Sequence, residues 1–166
     1  MRICKSTFLQ RHPTRNNQHL TVNVTDESII ISAPWHSTPE YGVSISYPAF
    51  STANPIYGVE LVGYNFAFDY TQTKLNTGPS PIERKTFALG YHFEVHLFDH
   101  AMSLKPKIGA TSYTILSTQN GILAGLEIAH LDQIYGLRYA LHLTQDIDYI
   151  NSKIIYLTYL GVKFAF

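Results

Sequence analysis

A histidine and a threonine near the C-terminus are spaced as a general base and a nucleophile would be. They lie in the run His142-Leu143-Thr144-Gln145. In a strand, residues two positions apart share one face, so the imidazole of His142 could accept a proton from the hydroxyl of Thr144. A histidine that only hydrogen-bonds its neighbours inside a protein is the simpler interpretation. We therefore predict no catalytic residue and keep this pair as the alternative.

A second histidine pattern, His92-x-Glu94-x-His96, places three metal-binding residue types on one strand face. Successive residues on such a face are ~7 Å apart, whereas a metal ligand binds at ~2 Å. All three side chains therefore cannot easily reach one ion, although two of them with His142 or a water could. We predict no metal and no cofactor.

The segments that hold these patterns have the period of β-strands. In the strand predicted from Phe87 to Phe98, the odd-numbered residues are apolar. The even-numbered residues from 88 to 96 are small residues, a glutamate and histidines. The strand predicted from Tyr135 to Gln145 alternates in the same way from Leu137 onward. A helix would scatter these apolar residues around its whole circumference. Both segments are therefore predicted to be strands with one apolar face.

The last segment, Ser152 to Phe166, also has the two-residue period of a strand. Its apolar face ends in Leu160, Val162, Phe164 and Phe166, and its other face includes Gly161 and Lys163. A soluble protein normally turns such a face inward, but a strand in a membrane barrel turns it toward lipid. Tyrosines near the predicted strand ends are typical of membrane-interface anchors; they are Tyr41, Tyr57, Tyr70, Tyr135 and Tyr156.

Composition limits the function classes. The 166 residues suffice for one domain, and twelve basic residues balance twelve acidic ones, which argues against a nucleic-acid surface. Charged residues make up only 14% of the chain and aromatic residues 13%, as expected for a membrane barrel. The single cysteine excludes an intrachain disulfide. The apolar runs are too short for a membrane helix, so any span must use strands.

We predict that the chain divides into a disordered leader, residues 1–17, and a single barrel domain, residues 18–166. The leader shows no apolar core or cleavage site of a signal peptide. We predict an all-β, eight-stranded antiparallel up-and-down transmembrane barrel. The count takes His19 to Ala33 as one bent strand and Ile56 to Tyr70 as one long strand, and it assigns Thr71 to Arg84 to the longest loop.

Turn positions predict two ion pairs inside this barrel. A two-residue turn at Asp132-Gln133 keeps the apolar faces of its two strands together and sets Glu127 opposite Arg138. A four-residue turn from Asp99 to Met102 sets Glu94 opposite Lys107 by the same argument. Charges inside a narrow barrel must be paired, because an unpaired buried ion costs several kcal/mol. We therefore predict a luminal polar network of Glu94, Lys107, Glu127, Arg138, His92, His96, His142 and Lys163.

The closing strand resembles the C-terminal signature of bacterial outer-membrane barrels, with the terminal aromatic Phe166 and the alternating Phe164, Val162 and Leu160 before it. The last 110 residues or so resemble the small OmpA-like eight-stranded family. This resemblance implies location in a Gram-negative outer membrane, contact with its lipid, recognition of the C-terminal strand by the insertion machinery, and loops that could contact an extracellular partner. Trp35, in the first predicted loop, is the candidate for such a contact. The family has structural and surface-interaction roles, so the resemblance implies a non-enzymatic protein with little or no pore activity.

Two alternatives remain open. The His142 run is similar to the His-x-Ser-Asn motif of outer-membrane lipid A deacylases, with Thr144 in place of serine and Gln145 in place of asparagine. That similarity implies a hydrolase. A soluble lipocalin-like barrel would instead hold its apolar residues inside, around a small ligand.

Overall fold

Residues that alternate between polar and apolar form eleven β-strands in the computed structural model of this protein. The structure describes residues 18–24, 27–33, 40–49, 54–76, 80–97, 100–134 and 137–165. Over these residues the strands are β1 Gln18–Val24, β2 Glu27–Ala33, β3 Glu40–Pro48, β4 Ile56–Gly63, β5 Phe66–Leu75, β6 Ile82–Tyr91, β7 Phe93–Leu97, β8 His100–Thr114, β9 Thr118–Ile134, β10 Leu137–Ile150 and β11 Lys153–Ala165. No helix in the described part of the chain is long and apolar enough to cross a membrane. The leader predicted over residues 1–17 lies outside the described residues.

Eight of these strands close into one antiparallel barrel. They pair in the order β3, β4, β5, β6, β8, β9, β10 and β11. β11 also pairs with β3, where Val162 is opposite Ile45, and this seam closes the ring. The predicted eight-stranded antiparallel barrel is therefore confirmed.

The strands are staggered around the ring. A path along register partners that leaves β11 at Phe164 crosses every strand of the barrel and returns to β11 at Ile154. The stagger is ten residues, from position 164 to position 154. With eight strands, this stagger tilts each strand by about 40° from the barrel axis. The interior of such a barrel is only wide enough for side chains to fill.

The prediction of a single strand from Ile56 to Tyr70 is wrong, because the chain turns at its centre. β4 ends at Gly63 and β5 begins at Phe66, and these two residues pair. Tyr64 and Asn65 between them have φ angles of 52° and 67°, the left-handed values of a tight hairpin turn. Tyr64 continues the apolar alternation into β5, and neither turn residue is a glycine, so the sequence pattern is continuous across the turn.

The prediction of a bent strand from His19 to Ala33 is also wrong. This segment is a hairpin, in which β1 and β2 pair along their full length. β2 then pairs with β7, where Ile31 is opposite Val95. β7 continues the line of β6 beyond the β4–β5 turn, so the hairpin lies outside the closed ring. The predicted count of eight barrel strands is nevertheless correct, because two errors cancel. The segment from Ile56 to Tyr70 supplies two barrel strands instead of one, and the segment from His19 to Ala33 supplies none.

The barrel is apolar outside and polar inside. Exposed side chains on its outer face include Val43, Val59, Leu61, Phe68, Phe87, Leu89, Ile108, Leu126, Leu141, Leu143 and Leu160. Charged and hydroxyl side chains are buried inside. A lipocalin-like barrel has the opposite arrangement, with apolar side chains around its cavity.

Tyrosines border the apolar outer face at both ends of the barrel. We call the end where β3 begins and β11 ends the terminal end, and the opposite end the loop end. Exposed tyrosines lie near the terminal end at Tyr41 and Tyr64 and near the loop end at Tyr47, Tyr57, Tyr149 and Tyr156, whereas Tyr70 lies in the middle of β5. Tyr135 lies outside the described residues.

Candidate functional site

Among the described residues, the barrel interior contains nine charged residues that are each no more than 9% exposed. They alternate with outward apolar residues along seven of the eight strands, because side chains of a strand point to opposite faces in turn. We call this set the luminal charges; it consists of Glu60, Asp69, Arg84, Lys105, Lys107, Glu127, Asp146, Asp148 and Lys163.

Lys105 is the centre of one group of luminal charges. Its Nζ lies 2.5 Å from Glu60 Oε1, 2.8 Å from Asp69 Oδ2 and 3.2 Å from Glu127 Oε2. These partners come from β4, β5 and β9, so one ammonium group connects three walls of the barrel. A lysine with no exposed surface requires such partners, because a buried charge is costly unless it is paired.

Lys163 completes this group from the closing strand. Its Nζ lies 2.9 Å from Glu60 Oε2 and 2.7 Å from Glu127 Oε1. Each of these two carboxylates therefore bridges two lysines. His92 joins at the terminal end, where its Nε2 is 3.3 Å from Glu60 Oε1 and its Nδ1 is 2.9 Å from Ser103 Oγ.

Arg84 is the centre of a second group, nearer the loop end. Its Nε donates to Asp148 Oδ2 at 2.7 Å, and its Nη2 donates to Asp148 Oδ1 at 2.9 Å and to Asp146 Oδ2 at 3.0 Å. The hydroxyl of Tyr113 also donates to Asp148 Oδ2, at 2.5 Å. The planar guanidinium thus holds two carboxylates at once, a geometry that arginine favours over lysine.

Lys107 and Tyr159 lie between the two groups. Lys107 Nζ is 2.9 Å from Asp146 Oδ1 and donates to the Tyr159 hydroxyl at 3.1 Å. Tyr159 in turn donates to Asp146 Oδ2 at 3.0 Å. Both side chains also line a cavity of about 20 Å³ that reaches Glu127 and Lys163 of the first group. The cavity has room for about one water molecule, so side chains fill most of the space between the two groups of described luminal charges.

Glycines on the inner face provide the space for these charges. A Cβ atom at Gly125 would lie 2.6 Å from Asp146 Oδ1 and 2.7 Å from Lys107 Cε. A Cβ atom at Gly90 would lie 2.8 Å from Lys105 Cγ. Both positions can therefore hold no side chain unless the luminal charges move.

The predicted opposition of Glu127 and Arg138 is wrong. Asp132-Gln133 is part of β9 rather than a turn, and β9 continues to Ile134, which pairs with Leu137. The observed register differs from the predicted one by an even number of residues, so the apolar faces of β9 and β10 still lie on the same side of the sheet. The strands are longer than predicted, however, and the pairing is displaced.

The displaced register separates the two residues. Glu127 lies opposite Thr144 and contacts Lys163 and Lys105 instead. Arg138 lies at the terminal end with a side chain that is 47% exposed, and its Nη1 is 3.1 Å from Glu40 Oε1. Arg138 is therefore a rim residue and not part of the lumen.

The predicted opposition of Glu94 and Lys107 is also wrong. Leu97 pairs with His100, so the turn is tighter than the four residues predicted, and Glu94 lies opposite Ser103. Lys107 instead lies opposite Gly90 on β6 and Gly125 on β9.

His142 and Thr144 lie together inside the barrel. The Nδ1 of His142 is 3.1 Å from Thr144 Oγ1, and its Nε2 is 3.2 Å from Ser46 Oγ. The same Nδ1 is 3.8 Å from Glu127 Oε2. The histidine and the hydroxyl group are therefore in contact. His142 is 2% exposed, however, and Thr144 is fully buried, so the barrel wall separates both side chains from any lipid outside. The outward residues of the run are Leu143 and Gln145.

The structure describes the side chains of only part of the histidine pattern around Glu94. No three histidine, cysteine, aspartate or glutamate side chains among the described residues are placed to hold a metal ion. His92 contacts Glu60 and Ser103. The side chain of His96 lies outside the described residues, although its backbone pairs with Ala101.

Sequence reasoning misses most of the luminal charges. Arg84 falls in the predicted long loop, yet Arg84-x-Thr86-x-Ala88 continues the inner face of β6. Asp146 and Asp148 continue the inner face of β10 beyond Thr144 in the same way. Arg84, Asp146 and Asp148 can be found in the sequence if each strand is extended as far as its alternation of inward and outward residues continues.

The C-terminal signature lies on the outer face of β11. Leu160 is exposed, Val162 and Phe164 are half-buried, and Lys163 between them is buried inside. Phe166 and the predicted loop contact Trp35 lie outside the described residues.

Comparison with known proteins shows similarity in fold. No family model matches the sequence, and the search of curated proteins found no match. Neisserial surface protein A matches with a TM-score of 0.57 and 11% identity, over 76% of this chain and 92% of that chain. This chain has the fold of a small outer-membrane β-barrel.

Two further structures support the same fold. The N-terminal β-barrel domain of Pseudomonas aeruginosa OprF matches with a TM-score of 0.51 and 14% identity, over 77% of this chain and 96% of that domain. The Yersinia pestis outer-membrane protein Ail, in a phospholipid bilayer nanodisc, matches with a TM-score of 0.51 and 10% identity, over 78% of this chain and all of that one, 100%. At such low identity the likeness extends to the fold alone.

Proposed function

We propose that the protein is an outer-membrane β-barrel with a structural or surface-interaction role, and that the luminal charges seal its interior. The observation that carries this proposal is the reversed polarity of the barrel, with large apolar side chains exposed outside and paired charges buried within. In water, such an outer surface would be an aggregation hazard. In a bilayer it is the expected lipid-facing surface.

A sealed lumen favours a protein without pore activity. Ion pairs cross the interior in both groups of luminal charges, and the cavity between them holds about one water molecule. The enclosure of His142 and Thr144 supports a hydrogen-bonding role for this pair rather than hydrolysis of lipid. The partners that we propose are outer-membrane lipid, the insertion machinery through Leu160, Val162, Phe164 and Phe166, and an extracellular partner at the loops.

Electrophoretic mobility with and without boiling tests the membrane proposal. The chain is refolded in detergent micelles and, in parallel, in buffer alone. We expect a compact band that forms only in micelles and shifts when the sample is boiled, because the apolar wall needs a lipid-like environment. A monodisperse, folded protein in buffer without detergent would overturn the proposal.

A further inference from the structure

The apolar outer face of the barrel is taller on one side than on the other. On β3 it runs from Tyr41 to Tyr47, which corresponds to about 15 Å along the barrel axis at a tilt of about 40°. On β10 it runs from Tyr139 to Tyr149, which corresponds to about 25 Å. The strand lengths follow the same trend, with 9, 8 and 10 residues in β3, β4 and β5 and 17, 14 and 13 in β9, β10 and β11. We call the first three strands the short side and the last three the tall side.

The two sides begin at the same height at the terminal end. Tyr139 pairs with Phe164, and Phe164 pairs with Val43. A stagger of ten residues over eight strands raises this path toward the loop end by about 1.25 residues per strand, so Tyr139 lies about 2.5 residues below Val43. Tyr139 is therefore level with Tyr41. A tilt of the whole barrel in the membrane would shift both boundaries of the apolar face together, so tilt does not explain the difference in height.

Toward the loop end, residues at equal height differ in polarity between the two sides. The register path from β5 to β10 runs through Phe68, Leu89, Ile108, Ala124 and Ile147. Its four steps correspond to a rise of about five residues, so Ile147 on the tall side is level with position 73 of β5. That position lies between Gln72 and Lys74, which both point outward because Thr73 is buried inside.

The outer face is polar at this height on β5 and on the neighbouring strand β6. The Nε2 of Gln72 donates to Glu83 Oε1 at 2.6 Å, and its Oε1 accepts from the hydroxyl of Tyr70 at 3.3 Å. Lys85, whose side chain is 44% exposed, has its Nζ 3.2 Å from Glu83 Oε2. An exposed ion pair is costly in hydrocarbon, so water or lipid headgroups must reach this height beside β5 and β6.

The outer face of the tall side is largely apolar at the same height and above it. Its exposed residues there include Ile122, Ile147, Tyr149 and Tyr156. They form one patch, because Ile122 pairs with Tyr149 and Ile147 pairs with Tyr156. Gln145 and Thr158 are the polar residues beside this patch, and the hydroxyl of Thr158 donates to the Oε1 of Gln145. The patch is continuous with the apolar wall below it, and in water it would be an aggregation hazard.

We propose that the bilayer is thinner beside the short side than beside the tall side, so that the protein deforms the lipid around it. Acyl chains cover the patch around Ile147, whereas headgroups and water descend to Gln72 and Lys85 on the other side. A bilayer adjusts its thickness to an apolar surface that is shorter than its hydrocarbon core, because exposed mismatch costs more than a modest deformation of lipid. A flat bilayer would bury the ion pair of Lys85 or expose the tall patch to water.

This inference rests on the proposed membrane function, and spin labels at matched heights test it. Gln72→Cys and Ile147→Cys are each made in a Cys4→Ser background, labelled, and refolded as the full chain in phosphatidylcholine vesicles. We expect collisions with a water-soluble nickel complex to be several-fold more frequent at Gln72 than at Ile147, and collisions with oxygen to be more frequent at Ile147. Equal accessibility at the two positions would mean a flat bilayer and would overturn the proposal.

Two reference labels distinguish this inference from the membrane proposal. Phe68→Cys on the outer face of β5 should be accessible to oxygen, and Lys153→Cys at the exposed loop end should be accessible to the nickel complex. If both reference labels are equally accessible to the nickel complex, the barrel is not in the bilayer and the membrane proposal fails. If they differ as expected but Gln72 and Ile147 do not, only this inference fails.

A second matched pair repeats the test closer to the terminal end. Tyr47 pairs with Leu160, and the register path continues through Leu143 to Ile128. Its three steps correspond to about four residues, so Tyr47 on the short side is level with Ala124 on the tall side. We expect Tyr47→Cys to be more accessible to the nickel complex than Ala124→Cys, and the opposite order would overturn the proposal.

Discussion

Arg84 and Asp148 bind each other across the inside of the barrel through two hydrogen bonds of 2.7 Å and 2.9 Å. They lie on β6 and β10, and the two strands β8 and β9 separate them along the wall. Neither side chain has any exposed surface. The contact therefore joins parts of the wall that are not neighbours in the sheet.

Removal of this guanidinium should be costly. We expect Arg84→Met to lower the free energy of unfolding by about 3–5 kcal/mol, because Asp146 and Asp148 are left buried without this cation. Denaturant unfolding of the refolded protein in micelles measures the change. Arg138→Met is the control: its pair with Glu40 is at the exposed rim, so the loss should be no more than about 1 kcal/mol. Equal losses in the two variants would contradict the assignment of Arg84 to the sealed interior.

The stability of the barrel should depend on the absence of a side chain at Gly125, because Asp146 and Lys107 occupy that space. We expect Gly125→Ala to destabilise the barrel by about 1–3 kcal/mol, because the new methyl group would displace Asp146 or Lys107. Gly63→Ala is the matched control, since nothing lies within 4 Å of a Cβ atom there. Thermal unfolding in micelles distinguishes them. A neutral Gly125→Ala would show that the luminal charges can move at little cost.

The turn between β10 and β11 should be stabilised by glycine. Asn151 and Ser152 have φ angles of 46° and 62°, and a serine in this left-handed conformation is strained by about 1–2 kcal/mol. We expect Ser152→Gly to raise stability by about 1 kcal/mol in thermal unfolding, as Asn-Gly is preferred in such turns. Ser80→Gly serves as the control, because Ser80 is outside the set of residues with positive φ. A loss of stability in Ser152→Gly would argue against this turn geometry.

The filled lumen should conduct ions poorly. In planar bilayers we expect no large steady single-channel current from the parent protein. Lys105→Ala should raise the conductance, because it removes a central side chain that contacts three walls of the barrel. Lys153→Ala, at an exposed position, is the control and should change nothing. Large steady currents from the parent protein would contradict the sealed interior.

The two-residue period is sufficient to predict which residues face inward, but not which of them touch. Alternation places Lys107, Glu127 and Lys163 on the polar face, and the structure buries all three. Their partners depend on turn positions, and Asp132 is a residue type common in turns although it lies within β9. An error of a few residues in a turn can preserve the face and still change every pair.

Contacts across the lumen are beyond the reach of the sequence for a different reason. Arg84 and Asp148 are on strands that are not neighbours, so no hairpin register relates them. Whether their side chains meet depends on the strand tilt that the ten-residue stagger produces. That stagger depends on the registers of all eight pairs of neighbouring strands in the barrel. The turn at Tyr64-Asn65 is also hidden in the sequence, because it adopts a left-handed backbone without a glycine.

The luminal charges are distributed along the chain in blocks of one sign, and this has a consequence for folding. β4 and β5 contribute only carboxylates to this set, β6 and β8 only cations, and β9 and β10 only carboxylates again, with Lys163 on the closing strand. Within each of these three pairs of adjacent strands, the inner face carries luminal charges of a single sign. Neutralisation therefore requires different blocks to meet, so we expect the blocks to assemble in a concerted step rather than to enter the bilayer one after another.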